Sequence, residues 1–112
     1  MSAARTFADT YVETVNRGAY SDLADLFAPG AVMLAPGAQV FEGREAIRAF
    51  YDGFLTTIKP SIRIATYVEH DCHCVYELEA RIEGESEYAL AAIDHATFDD
   101  TGLVTRFAVY TK

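Results

Sequence analysis

Tyr88-Ala-Leu90-Ala-Ala92-Ile-Asp94-His-Ala96-Thr-Phe98 reads as a β-strand carrying a single acid on its apolar face. Successive side chains of a strand point to opposite sides, so Tyr88, Leu90, Ala92, Asp94, Ala96 and Phe98 share one side, and all but Asp94 are apolar or aromatic. An unpaired ionised carboxylate is costly to bury. Asp94 must therefore be paired, bonded to backbone amides, or held protonated by a raised pKa. In the protonated form it is a hydrogen-bond donor at neutral pH. From this strand alone a structural carboxylate and a functional one are both open.

The period of two extends to either side of this strand. Ile62, Ile64, Thr66 and Val68 alternate, as do Cys74, Tyr76, Leu78, Ala80 and Ile82, and then Leu103, Thr105, Phe107 and Val109. The turns between these runs, Glu69 to Cys72, Glu83 to Glu85 and Asp99 to Gly102, are short enough for an antiparallel meander. Upstream the period is 3.6. Ala4, Phe7, Ala8, Tyr11, Val12 and Val15 form one stripe of a helix from Ala3 to Asn16, which Asn16-Arg-Gly18 ends. Ser21 offers an N-cap for a short helix carrying Leu23, Leu26 and Phe27, closed by Pro29-Gly30. Ala31 to Leu34 pairs with Gln39 to Phe41 as a hairpin. Gly43 then precedes a third helix, from Arg44 to about Thr57, with Ile47, Phe50, Tyr51, Phe54 and Ile58 on its apolar face. The pattern predicts one α+β domain over residues 1–112: three N-terminal helices packed on a curved antiparallel sheet.

Composition narrows the partners. Seventeen acidic residues against nine basic ones give a net charge of −8, which disfavours nucleic acid and anionic membranes as partners and suits a neutral or cationic ligand. The 112 residues, 51% of them hydrophobic and including seven Phe and seven Tyr, can build one core and still line a cavity. The N-terminal residues have no continuous apolar stretch, and apolar residues nowhere run long enough to span a membrane, so a cytoplasmic protein is expected. Cys72 and Cys74, one residue apart, make no disulfide framework and suit a reducing compartment.

Four strings, Tyr11-Val-Glu-Thr-Val-Asn16, Leu26-Phe-Ala28, Gly43-Arg-Glu-Ala-Ile-Arg-Ala-Phe-Tyr51 and Ala92-Ile-Asp-His95, in this order of elements, resemble the nuclear-transport-factor-2-like superfamily. Within it the chain is most similar to the ketosteroid isomerases and their SnoaL-like relatives. The resemblance spans Thr10 to Val109 and implies a cone-shaped, cystatin-like fold with an internal pocket. In the isomerases, a tyrosine of the first helix and a protonated aspartic acid of the penultimate strand form an oxyanion hole for a carbonyl oxygen. Those positions fall on Tyr11 and Asp94, and a supporting tyrosine of the third helix falls on Tyr51. The residues themselves point the same way. Tyr11 and Tyr51 lie on the apolar stripes of their helices, where a buried phenol needs a polar partner.

The resemblance also has a gap. The isomerases carry a general-base aspartate on the strand after the second helix, and the matching position here is Ala35, within Met33-Leu-Ala-Pro-Gly37. Val32 to Val40 contains no Asp, Glu or His, so a slip in alignment does not restore the base. Glu13, off the buried stripe of its helix, and Glu42, in a turn, read as solvated. Donors without a base polarise a carbonyl but do not shuttle a proton between carbons.

His70-Asp-Cys72-His-Cys74 is the only metal-like cluster, and its cysteine spacing fits zinc poorly; it reads as a turn with two buried or half-buried thiols and solvated His70 and His73. His95 points away from Asp94, toward a local hydrogen bond or a dimer interface. Arg44 and Arg48 read as a solvated helix face. The expectation is a ketosteroid isomerase-like or SnoaL-like pocket protein that binds a small apolar, carbonyl- or phenol-bearing molecule, steroid-like or polyketide-like. Tyr11 and Asp94 donate to its oxygen with Tyr51 supporting Tyr11 as the third residue of the site, and Met33, Ala35, Phe50, Phe54, Tyr88 and Leu90 form the walls. Any turnover would be acid/base chemistry of isomerase or cyclase type, with no cofactor and no metal. The alternative is a non-enzymatic ligand-binding or dimerisation module. The resemblance further implies a homodimer packed through the outer sheet face at Ala89, Ala91 and Ile93.

Overall fold

The computed structural model describes residues 2–111. Helix α1, Ala3–Asn16, buries the predicted stripe of Ala4, Phe7, Ala8, Tyr11 and Val15, and the Ser2 hydroxyl caps its first turn by accepting from the Arg5 amide at 3.0 Å. The Asn16 side chain bonds both backbone groups of Ile62, at 2.9 and 2.7 Å, and so fixes the end of α1 against the sheet. The next helical segment, Tyr20–Leu26, is a 3₁₀ turn, and Phe27 already belongs to strand β1, Phe27–Ala35. Pro29-Gly30 therefore lies inside a strand instead of ending a helix. The register of β1 slips between Phe27 and Val32, in a stretch where proline has no ladder bond to donate.

β2, Gln39–Glu42, folds back on β1 with Ala35 opposite Gln39. Helix α2, Arg44–Ile58, follows Gly43, whose φ of 91° only glycine takes without strain, and ends at Lys59-Pro60. Ile47, Tyr51 and Leu55 are buried, whereas Phe54 is 49% exposed. Arg44 is not simply solvated: its guanidinium donates to the Phe27 carbonyl at 2.9 and 2.6 Å and ties α2 to β1. Arg48 pairs with Glu45 and Asp25.

β3 (Ser61–His70), β4 (His73–Arg81), β5 (Ala89–Phe98) and β6 (Val104–Tyr110) form the expected antiparallel meander. The six strands lie in the order β2-β1-β6-β5-β4-β3, with β1 and β6 parallel. The sheet is thus mixed where a purely antiparallel one was expected, because hydrophobic period reports which face a residue occupies and not the direction of its neighbour. Bulges interrupt three strands. In β3 the register shifts between Ile64 and Thr66, so Tyr67 turns inward and Val68 is 59% exposed. In β5, Ala92 opposes Leu78 while Leu90 opposes Glu79, leaving Ala91 as the extra residue. In β6, Val104 opposes Phe98 and Arg106 opposes Thr97, so Val104, and not Thr105, enters the core. Each bulge bends its strand, and together they curve the sheet around the space beneath the helices. Phe7 anchors the narrow end, with Tyr11, Phe27, Phe98 and Phe107 at ring distances of 5.7, 6.3, 5.4 and 5.9 Å.

Candidate functional site

Between α1, α2 and the inner face of the sheet lies a cavity of about 460 Å³. Tyr11 enters it from α1, Tyr51 from α2 and Asp94 from β5. The two phenols meet at 3.0 Å between hydroxyl oxygens, and either can donate. Their rings cross nearly edge to face, 6.0 Å apart. All three groups are almost sealed, with 6%, 2% and 1% exposure for Tyr11, Tyr51 and Asp94.

Burial sets their charge. Desolvation pushes the pKa of Asp94 up to about 7, against a partial downward pull from the Tyr76 hydroxyl. Loss of water also raises Tyr11, with a further contribution from the charge of Asp94 and a smaller opposing one from Tyr51. Tyr51 lies well above the usual phenol range for the same leading reason. Below neutral pH the site therefore offers neutral O–H donors in an apolar enclosure. Such donors hold oxygen that develops negative charge more strongly than they would in water.

Of the predicted walls, Met33, Ala35, Phe50 and Phe54 line the cavity, and Phe50 and Phe54 stack at 5.5 Å. Tyr88 and Leu90 do not. The β5 bulge rotates everything before Ala92 out of phase, so Ala91 takes the inward position, Leu90 is 38% exposed, and Tyr88 lies between the guanidinium groups of Arg63 and Arg81 at 4.2 and 5.1 Å. Ala91 is accordingly a wall of the cavity and not a residue of the outer sheet face. Ile93 stays outside, 37% exposed. Leu78, Ala92 and Val109 complete the sheet side of the cavity, and Gln39 and Thr111 are polar residues of its lining that the sequence reading passed over. Gln39 was findable as the residue facing Ala35 across the hairpin. Tyr76, directly opposite Asp94 on β4, was also missed, since it reads as one more aromatic in an apolar alternation.

No acid occupies the place of a base. Ala35 is 8% exposed on the cavity wall, Glu13 is exposed and faces Arg17 at 3.8 Å, and Glu42 is exposed on β2. On the opposite face of the sheet the His95 Nε2 meets the His73 Nδ1 at 3.0 Å, which makes the local bond expected of it. Cys74 is buried but Cys72 is exposed, not half-buried as expected, because it sits in the β3–β4 turn. Among the described residues, no three His, Cys, Asp or Glu side chains are grouped to hold a metal ion, and no helix is long and apolar enough to cross a membrane.

A family model described as a SnoaL-like domain matches residues 8–107. A Steroid Delta-isomerase of Nocardioides simplex is 30% identical over 102 residues, covering 89% of this chain and 82% of that protein. Among solved structures, RV0760c from Mycobacterium tuberculosis in complex with estradiol-17beta-hemisuccinate is similar with a TM-score of 0.82 at 15% identity, over 100% of this chain and 95% of that one. SalBIII, an epoxide hydrolase/cyclase-like enzyme in pyran ring formation in the polyether salinomycin, is similar with a TM-score of 0.81 at 19% identity, over 96% of this chain and 89% of that one. At such identities the two structures speak for the fold alone.

Proposed function

The chain belongs to the SnoaL-like domain family, and on that premise we propose that it binds a small apolar molecule through one carbonyl or phenol oxygen, with Tyr11 and Asp94 donating to that oxygen and Tyr51 supporting Tyr11. The observation that carries this reading is that Tyr11, Tyr51 and Asp94, all buried, line one apolar cavity of about 460 Å³. That volume is in the range of pockets that enclose a polycyclic or macrocyclic ligand. Homology to a steroid isomerase and a fold shared with a protein bound to an estradiol derivative favour a steroid-like or polyketide-like ligand. Turnover proceeds by acid catalysis: Asp94 protonates the bound oxygen, water takes the proton lost from one carbon and returns one to the other, and the oxygen's proton goes back to Asp94 as the carbonyl reforms. With alanine at position 35 and no carboxylate beside it, efficient steroid isomerisation is not the expected activity.

The test is a titration with phenols of graded acidity. Asp94→Asn and Tyr11→Phe are each expected to weaken binding roughly ten- to a hundredfold, the worth of one strong buried hydrogen bond, and the loss should grow with the acidity of the phenol. Unchanged affinity in both variants would show that the ligand oxygen does not sit between them.

We also infer that the chain forms a homodimer through the outer sheet face. Val40, Leu34, Ala108, His95, Val75 and Val68 lie in register across all six strands, and Val40 and Val68 are 54% and 59% exposed. Within this row Ala108 is buried and His95 is polar, so its exposed apolar surface is the two valines at its ends, to which Ile93 and Tyr110 add, and these are the side chains a second copy would cover.

A further inference from the structure

Among the described residues, two buried polar side-chain atoms have no hydrogen-bond partner: Asp94 Oδ2 and the Tyr76 hydroxyl. They belong to residues directly opposite one another on β4 and β5, whose side chains share the inner face of the sheet. Asp94 lines the cavity, yet its Oδ2 is sealed from it. Tyr76 is 1% exposed, does not line the cavity, and backs onto Tyr11 at a ring distance of 6.5 Å. A sealed carboxyl oxygen and a sealed phenol at facing positions are each costly alone and satisfied together.

We propose that Tyr76 is a positioning residue for Asp94: its hydroxyl donates to Oδ2 and so directs the carboxyl proton onto the oxygen that faces the ligand. A carboxylic acid can carry its proton on either oxygen. Only the pocket-facing one is useful to a ligand, and a donor fixed on Oδ2 leaves Oδ2 to act as the acceptor and the other oxygen as the hydroxyl. The same bond persists if Asp94 ionises, since Oδ2 accepts in both states. It is stronger to the carboxylate, which is the direction in which Tyr76 opposes the effect of burial. Tyr76 itself stays a neutral phenol, held well above the usual range by burial and then by the neighbouring Asp94.

The titratable groups around Asp94 leave Tyr76 as the one suited to this task. Tyr11 from α1 and Tyr51 from α2 are bonded to each other. Cys74, on the same strand as Tyr76, is a weak donor whose thiol burial pushes up to about 11. From β6 the residue opposite Asp94 is Val109, which has no proton to give. This inference rests on the reading of Asp94 as a donor, but its decisive readout does not require the ligand.

The experiment compares wild type with Tyr76→Phe by ¹³C NMR titration of the Asp94 carboxyl, alongside the affinity of each for a non-ionising cyclic ketone at pH 5. Removal of a donor from the carboxylate is expected to move the Asp94 midpoint upward by about one pH unit and to weaken ketone binding roughly tenfold. A purely structural Tyr76 would change the melting temperature and leave the midpoint in place, which overturns the proposal. So does a raised midpoint with unchanged ketone affinity where Asp94→Asn does weaken ketone binding. Wild type gives a second readout that does not depend on the variant folding: a slowly exchanging, downfield Tyr76 hydroxyl proton below pH 6, whose absence also overturns it. Asp94→Asn separates the two readings. If it leaves ketone affinity intact, the ligand assignment fails, while the carboxyl titration still decides the role of Tyr76.

Discussion

Alanine at position 35 leaves this part of the cavity wall without a group that can take a proton. The wall there is a methyl group, 8% exposed, with the neutral amide of Gln39 facing it across the hairpin. An amide can hold a polar atom but cannot take a proton from carbon at neutral pH. Ala35→Asp should therefore supply the missing base, and the expected gain in isomerisation of a β,γ-unsaturated ketone, followed by dienone or enone absorbance, is about 10²–10⁴-fold over wild type. No gain from a folded variant would mean that the ligand carbon does not lie over position 35. Asp94 and the two tyrosines were legible before the structure because a single acid on an apolar strand and phenols on apolar helix stripes are conflicts that demand a partner. Tyr76 raised no such conflict, for a tyrosine among alternating apolar residues is an ordinary strand residue.

The elements were legible wherever one period held and failed wherever an extra residue changed it. Helices α1 and α2 lie where their stripes place them, and the meander turns near the predicted positions, though the connection between β4 and β5 spans residues 82–88 and leaves Ile82 and Tyr88 outside the strands. Each of the bulges in β3, β5 and β6 inserts one residue that composition does not mark, and beyond it the inward and outward sets exchange. That exchange is why Tyr88 and Leu90 were expected in the cavity and Ala91 outside it. It also yields a contrast between neighbours. Ala91→Phe should fill the cavity and reduce ligand affinity at least tenfold, whereas Leu90→Ala, on the exposed side, should leave affinity within about twofold. Calorimetric titration of the two variants checks this, and the reverse order of effects would place the bulge elsewhere. The Pro29-Gly30 pair misled for a related reason: inside a register slip, proline costs the ladder nothing.

For the whole molecule, the curvature that opens the cavity on one side leaves on the other a row from Val40 to Val68 whose exposed apolar side chains stand at its two ends. Ile93 and Tyr110, 37% and 56% exposed, stand opposite one another beside that row and widen it. Sedimentation at micromolar concentration should give twice the 12.3 kDa mass of the chain, and Ile93→Lys should return it to the single-chain mass. Each chain carries a charge of −8, so association should strengthen with added salt as like-charge repulsion is screened. A monomer at every concentration and salt level would leave the outer face without the partner inferred for it.

A neutral Asp94 that donates to a ligand oxygen must make binding depend on its own protonation. Burial raises the Asp94 pKa to about 7, so the donor form predominates below that pH and is lost above it. The measurement is the affinity of wild type and Asp94→Asn for a cyclic ketone that does not ionise, followed from pH 5 to pH 9. Wild-type affinity should be level up to about pH 6 and fall about tenfold for each pH unit well above pH 7, while Asp94→Asn stays weaker at low pH and flat throughout. A wild-type affinity that does not change across this range would contradict the account.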